Sequence, residues 1–132
     1  MKQLNIKTSQ QAEMIDITGD VRRFVKDSGV GRGICYVYVP HTSSGVTINE
    51  NTDPHVKDDI LNQLTRMVPQ KGEYKHGEGN SAAHIKTSIV GSSEIIFVEN
   101  GKLVLGAWQS IFLCEFDGPR SRNVLVKVVK ED

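Results

Sequence analysis

The chain has 132 residues, 38% of them apolar, and its sixteen basic residues balance sixteen acidic ones. That length suits a single domain over 1–132 with one proper core, and zero net charge gives no field for steering toward nucleic acid or an anionic membrane. No apolar run approaches a bilayer span and MKQLNIKTSQQ lacks the apolar segment of a signal peptide, so a cytoplasmic protein with no nucleic-acid and no membrane partner is expected.

QLNIKT and AEMIDIT alternate as short strands, and Val21, Phe24 and Val25 in GDVRRFVKDSG predict a short helix ended by Gly29. The β-branched and aromatic run from Gly33 to Val39 predicts a strand closed by Pro40, and GVTINE predicts the next. Asp53 followed by Pro54 reads as a cap and first turn for a helix with the stripe Val56, Ile60, Leu64, Met67 and Val68. PQKGEYKHGEGNSA is polar and glycine-rich, a long loop of the kind that carries function, and a short helix over 82–88 follows. Asn100-Gly101 between SEIIFVE and KLVLG predicts a type I′ hairpin, whose central positions need positive φ. AWQSIFLCEFD and NVLVKVV complete a strand set that outnumbers the helices. The expected class is α+β, a mostly antiparallel β-sandwich or roll with a few helices. Cys35 and Cys114 sit in apolar strand-like runs and read as reduced, structural thiols.

Strand alternation places Gln109, Ile111, Leu113, Glu115 and Asp117 on one face and Trp108, Ser110, Phe112, Cys114 and Phe116 on the other. The second face is expected to be core. The first mixes apolar side chains with Gln109 and Glu115, costly to bury without partners, and suggests a subunit interface or pocket wall.

Chemistry concentrates around three histidines. His41 in PHTSS follows a strand end, so its ring can project from the sheet rim, and Glu50, Asn51 and Asp53 supply oxygens beyond the next strand, Asp53 being favoured as the helix cap. His76 and His84 are eight residues apart with Glu78 and Asn80 between them; the spacing is no recognised zinc signature, and a solvated loop histidine is the plain alternative. Three neutral imidazoles from such segments would leave an open fourth position on a tetrahedral zinc. His55, in the first turn of its helix, is assigned to the surface. Arg120 and Arg122 in FDGPRSR suit capture of phosphate or carboxylate, with a surface ion pair to Asp117 as the competing reading. Ser43 and Ser44 lack the GxSxG elbow of a serine hydrolase.

HTSSGVTINEN with DP after it, YKHGEGNSAAHIKTS, and GKLVLGAWQSIFLCEFDGPRSR, in this order over almost the whole chain, resemble the YjbQ family. Ala107 stands where the LGTWQ pattern has threonine or another small residue, a minor departure. The resemblance implies a β-rich sandwich assembled as a homotrimer, and a divalent-metal site with His41, His76 and His84 as ligands. It marks Glu50, Asn51, Asp53, Glu78, Asn80, Gln109 and Glu115 as site neighbours, with Glu78, Glu115 and Gln109 as catalytic candidates and Asn51, Asn80, Arg120 and Arg122 for substrate. The implied activity is a thiamine-phosphate synthase joining a pyrimidine methyl pyrophosphate to a thiazole phosphate, so the expected partner is a phosphorylated small molecule. Imidazole ligands favour zinc, whereas pyrophosphate chemistry usually recruits magnesium. That mismatch keeps a metal-dependent hydrolase and a non-catalytic metal- or metabolite-binding protein open as alternatives.

Overall fold

The computed structural model describes residues 1–132. Eight strands and three helices follow in the order β1 (Lys2–Lys7), β2 (Glu13–Asp16), α1 (Thr18–Ser28), β3 (Gly33–Tyr38), β4 (Ser44–Glu50), α2 (Pro54–Met67), α3 (Ser81–Val90), β5 (Ser93–Glu99), β6 (Lys102–Leu103), β7 (Gln109–Glu115) and β8 (Ser121–Lys130). Five strands form one sheet, β1-β8-β3-β5-β6, and three form another, β2-β7-β4; neighbours are antiparallel throughout. The α+β expectation holds. The punctuation is also as the local chemistry requires. Gly29 ends α1 at φ 70°, and Asn100 and Gly101 turn the β5–β6 hairpin at φ 52° and 74°. The Asp53 carboxylate accepts the His55 N–H at 2.9 Å, capping α2 as expected, and the His55 side chain is exposed.

The main core lies between the sheets, where Val37, Val98 and Val124 from the larger meet Val46, Ile111 and Leu113 from the smaller, with Val21 and Val25 of α1 among them. A second cluster, Met14, Ala83, Phe112, Cys114 and Phe116, sits on the other face of the small sheet beneath α2 and α3. Both faces of β7 are therefore buried, which corrects the expectation that its Ile111 and Leu113 side lines an interface or pocket. The pattern misleads because helices cover the outside of a sheet whose inside already meets another sheet, so alternation no longer sorts core from surface. Trp108, assigned to the core, precedes β7 in a turn and is 66% exposed.

Burial pushes the Cys35 thiol up to about 11 and that of Cys114, where the Glu94 charge adds to it, up to about 12, so neither forms a thiolate near neutrality. No helix is long and apolar enough to cross a membrane. The outer face of the larger sheet carries an exposed apolar group: Tyr36 and Tyr38 on β3 beside Ile95 and Phe97 on β5, the last two 60% and 63% exposed.

Candidate functional site

Three chain segments meet at one end of the sandwich: the His41–Ser43 connection from β3 to β4, the start of α3, and the turn from β7 into β8. Between them lies an open cleft of about 350 Å³, bordered by Pro40 and otherwise polar, with His41, Ser43, Glu78, Asn80, His84 and the two arginines Arg120 and Arg122 in its walls.

Its floor is a buried ion pair. Glu115 is fully buried and Arg122 is 4% exposed. Arg122 Nε donates to Glu115 Oε1 at 2.8 Å, and its Nη2 donates to Glu115 Oε2 and to Ser43 Oγ, the latter at 2.9 Å. Glu115 also accepts from the Thr8 hydroxyl at 2.7 Å and from the backbone amides of Phe116 and Asp117 at 3.1 Å. Burial by itself opposes ionisation of Glu115, but the hydrogen bonds from Arg122, Thr8 and the Asp117 amide, with the Arg122 charge, outweigh it and hold the carboxyl below its ordinary value. Gly118 is required beside this pair. A Cβ there would fall on the Gln10 carbonyl oxygen and 2.8 Å from Glu115 Cγ.

The Arg122 donors named above all point inward. Its Nη1 makes no hydrogen bond to protein, and the residue lines the cleft. Arg120 is the more exposed arginine, tied to Asp117 through Nη2 at 2.9 Å and through Nε to its carbonyl at 2.8 Å. Asp117 also accepts from Asn80 Nδ2 at 2.9 Å. Burial works against the Asp117 charge, yet Asn80, Arg120 and Arg122 keep its carboxyl below the usual range. The ion pair to Asp117 is thus present, and the same Arg120 side chain lines the cleft.

The histidines differ in what holds them. His41 Nε2 accepts the backbone N–H of Asn123 at 2.9 Å, just past the end of the β3–β8 ladder. An imidazole nitrogen accepting an amide proton is unprotonated, so the neutral ring carries its hydrogen on Nδ1. Burial first, then the Arg122 charge, lower the pKa of His41 against a smaller opposing effect of Glu115. His84 is bonded the other way: its Nδ1 lies 2.8 Å from the Thr42 carbonyl oxygen, which can only accept, so Nδ1 carries a hydrogen and the lone pair of the neutral ring is on Nε2. His76 packs edge-on against His84 with ring centroids 5.4 Å apart, and its Nε2 is 3.7 Å from Glu78.

A three-histidine metal centre does not fit this arrangement. No three of the His, Cys, Asp and Glu side chains stand where one cation could join them, and the Nε2 of His41 is already occupied by Asn123. His84 alone shows the pattern found behind metal-bound imidazoles, one ring nitrogen on a carbonyl and the other open.

Of the catalytic candidates, Glu78 reaches the cleft and Glu115 lies beneath it, but Gln109 is at the far end of β7, accepting the Gly106 N–H at 2.8 Å. Gln109 lies six residue steps along the strand from Glu115, about 20 Å at strand rise. Asn51 is at that same far end, where its Nδ2 donates to Asp16 at 2.8 Å. The contributions sequence reasoning missed are Thr8, the Thr42 carbonyl and the Asn123 amide. Two of these are backbone groups with no side-chain signature, and only the β3–β8 register would have found Asn123.

The family profile for the YjbQ-like UPF0047 proteins matches residues 2–131. The chain is 49% identical over 130 residues to the UPF0047 protein YugU of Bacillus subtilis, with 98% of each covered. It is 50% identical over 124 residues to the UPF0047 protein MJ1081 of Methanocaldococcus jannaschii, covering 94% of this chain and 90% of that one. Among solved structures, an uncharacterised YjbQ/UPF0047 protein of Clostridium acetobutylicum superposes with TM-score 0.96 at 53% identity, over 98% of this chain and 100% of the other. A protein of unknown function from Sulfolobus solfataricus does so with TM-score 0.95 at 34% identity, over 98% and 96%.

Proposed function

We propose, for a chain that belongs to the YjbQ-like UPF0047 family, that the polar cleft binds a small anionic molecule and that His84 performs acid–base chemistry on it. The observation that carries this reading is the state of His84. Its Nδ1 is held by the Thr42 carbonyl, which leaves Nε2 free of that bond on a residue that lines the cleft together with Arg120 and Arg122. A positioned imidazole beside guanidinium groups is what transfer chemistry at a phosphate-bearing substrate needs: charge to hold the anion and a group that takes or gives one proton.

Within that class, the finer reading is the synthase that joins a pyrimidine methyl pyrophosphate to a thiazole phosphate. Arg120 and Arg122 would hold phosphate oxygens, and the cleft, lined mainly by polar groups, suits polar over apolar ligands. An assay with both precursors tests it: wild-type protein turns them over and His84→Asn loses most of that activity. Equal rates in the two proteins would remove the catalytic role of His84, and no turnover by the wild-type protein would leave a binding protein. Self-association into the homotrimer is proposed through the apolar outer face at Tyr36, Tyr38, Ile95 and Phe97, because contiguous exposed aromatic and aliphatic groups mark interaction surfaces.

A further inference from the structure

We propose that His41 Nδ1–H and Arg122 Nη1 form a fixed oxyanion subsite in the cleft, with His41 acting as a neutral hydrogen-bond donor. This rests on the reading of the cleft as a binding site for an anionic molecule and names the part of it that takes the anionic oxygen.

The donor role of His41 follows from its partner. The Asn123 amide can only donate, so while that 2.9 Å bond holds, Nε2 can neither be protonated nor bind a cation, and the ring hydrogen stays on Nδ1. Nδ1 has no protein acceptor and the residue lines the cleft. The imidazole also ends the β3–β8 ladder, so its orientation is set by the sheet and not by a mobile loop. Arg122 has the same character. It is almost wholly buried, and its Nε and Nη2 hold it to Glu115 and Ser43, which leaves Nη1 as the unpartnered corner of a guanidinium that cannot swing away.

Two donors immobilised before the ligand arrives cost little to organise, and a charged donor beside a neutral one favours a phosphate or carboxylate oxygen over any neutral acceptor. His84 Nε2 and the Glu78 carboxylate are acceptors on the same cleft. The ligand is thereby oriented: its anionic oxygen toward His41 and Arg122, and any N–H or O–H toward His84.

Long-range proton–nitrogen NMR on the full, nitrogen-15-labelled chain, titrated with inorganic phosphate, tests the assignment. The expected spectrum shows His41 protonated at Nδ1 and bare at Nε2 near neutral pH, with its Nδ1 signal moving saturably as phosphate is added. His41→Phe should weaken phosphate binding, followed at His84, by about tenfold, the value of one hydrogen bond to a charged group. An Nε2–H tautomer or a cationic His41 overturns the proposal, and the wild-type spectrum settles that even if the variant fails to fold. Phosphate that shifts His84 and leaves His41 unmoved overturns the subsite alone. Phosphate that moves neither overturns the anion-binding reading of the cleft as well.

Discussion

Arg122 and Glu115 face each other inside the protein through two parallel hydrogen bonds, from Nε to Oε1 and from Nη2 to Oε2, with the arginine entering from the first residues of β8 and the carboxylate from the last of β7. The pair joins the two sheets, since β7 belongs to the smaller and β8 to the larger. Thr8, just past β1, closes the same network.

Removing one partner should therefore cost far more than removing both. Arg122→Met leaves a buried carboxylate with no counter-charge and is expected to lower stability by about 3–5 kcal/mol. Arg122→Met with Glu115→Gln should recover a large part of that, because no uncompensated charge remains. Urea unfolding of the two proteins measures the difference, and equal losses would show that the pair contributes shape and not charge.

The same network sets the acid limit. Glu115 and Asp117 have folded pKa values below those of the unfolded chain, so their contribution is complete above the unfolded values of about 4 and is lost as pH falls through the folded ones. His41 acts in the same direction at higher pH, since its folded pKa is lowered and the unfolded chain takes up the proton first, from about 6.5 downward. Melting temperature should hold level above about pH 7, decline gently below it and fall steeply below about pH 4. A His41→Phe protein should lack the gentle decline and keep the steep one.

The outer face of β3 and β5 is expected to be covered by another copy of the chain. Ile95 and Phe97 are more than half exposed, and Tyr36 stands opposite Ile95 in the ladder. Phe97→Glu puts a charge within that patch without touching the core, so it should shift sedimentation from the mass of three chains to that of one while leaving circular dichroism unchanged. Wild-type protein sedimenting as a single chain would rule out the trimer.

Much of the fold was legible because its signals are local. Asp53-Pro54, Gly29 and Asn100-Gly101 each act through a single cap or turn, and each sits where the sequence puts it. The β7 faces were misread because their burial depends on which elements cover the sheet, a tertiary fact that alternation does not carry. The site divides in the same way. Side chains of the right chemistry, His41, His84, Asn80, Arg120 and Arg122, do come together, but the hydrogen bonding of the two histidines is set by backbone groups of Thr42 and Asn123 that leave no mark in the residue types. Gln109 and Asn51 were grouped with the site by motif, and the length of β4 and β7 places them at the opposite end.

A zinc titration would show which of the histidines can hold a cation. His84 keeps Nε2 open while the Thr42 carbonyl fixes its other nitrogen, the arrangement that orients and strengthens an imidazole ligand. His76 stands beside it with ring centroids 5.4 Å apart and Glu78 lies 3.7 Å from His76, although no three such side chains are placed around one point. His41, by contrast, would have to release the Asn123 amide and leave a sheet N–H without its acceptor, which itself costs about 1–3 kcal/mol. His84→Ala is therefore expected to weaken zinc binding by about tenfold or more, and His41→Ala to leave it near the wild-type value. Calorimetry on the three proteins separates the cases: equal losses for both variants would mean that a cation draws His41 out of the sheet, and the three-histidine centre would then replace the donor role assigned to that ring.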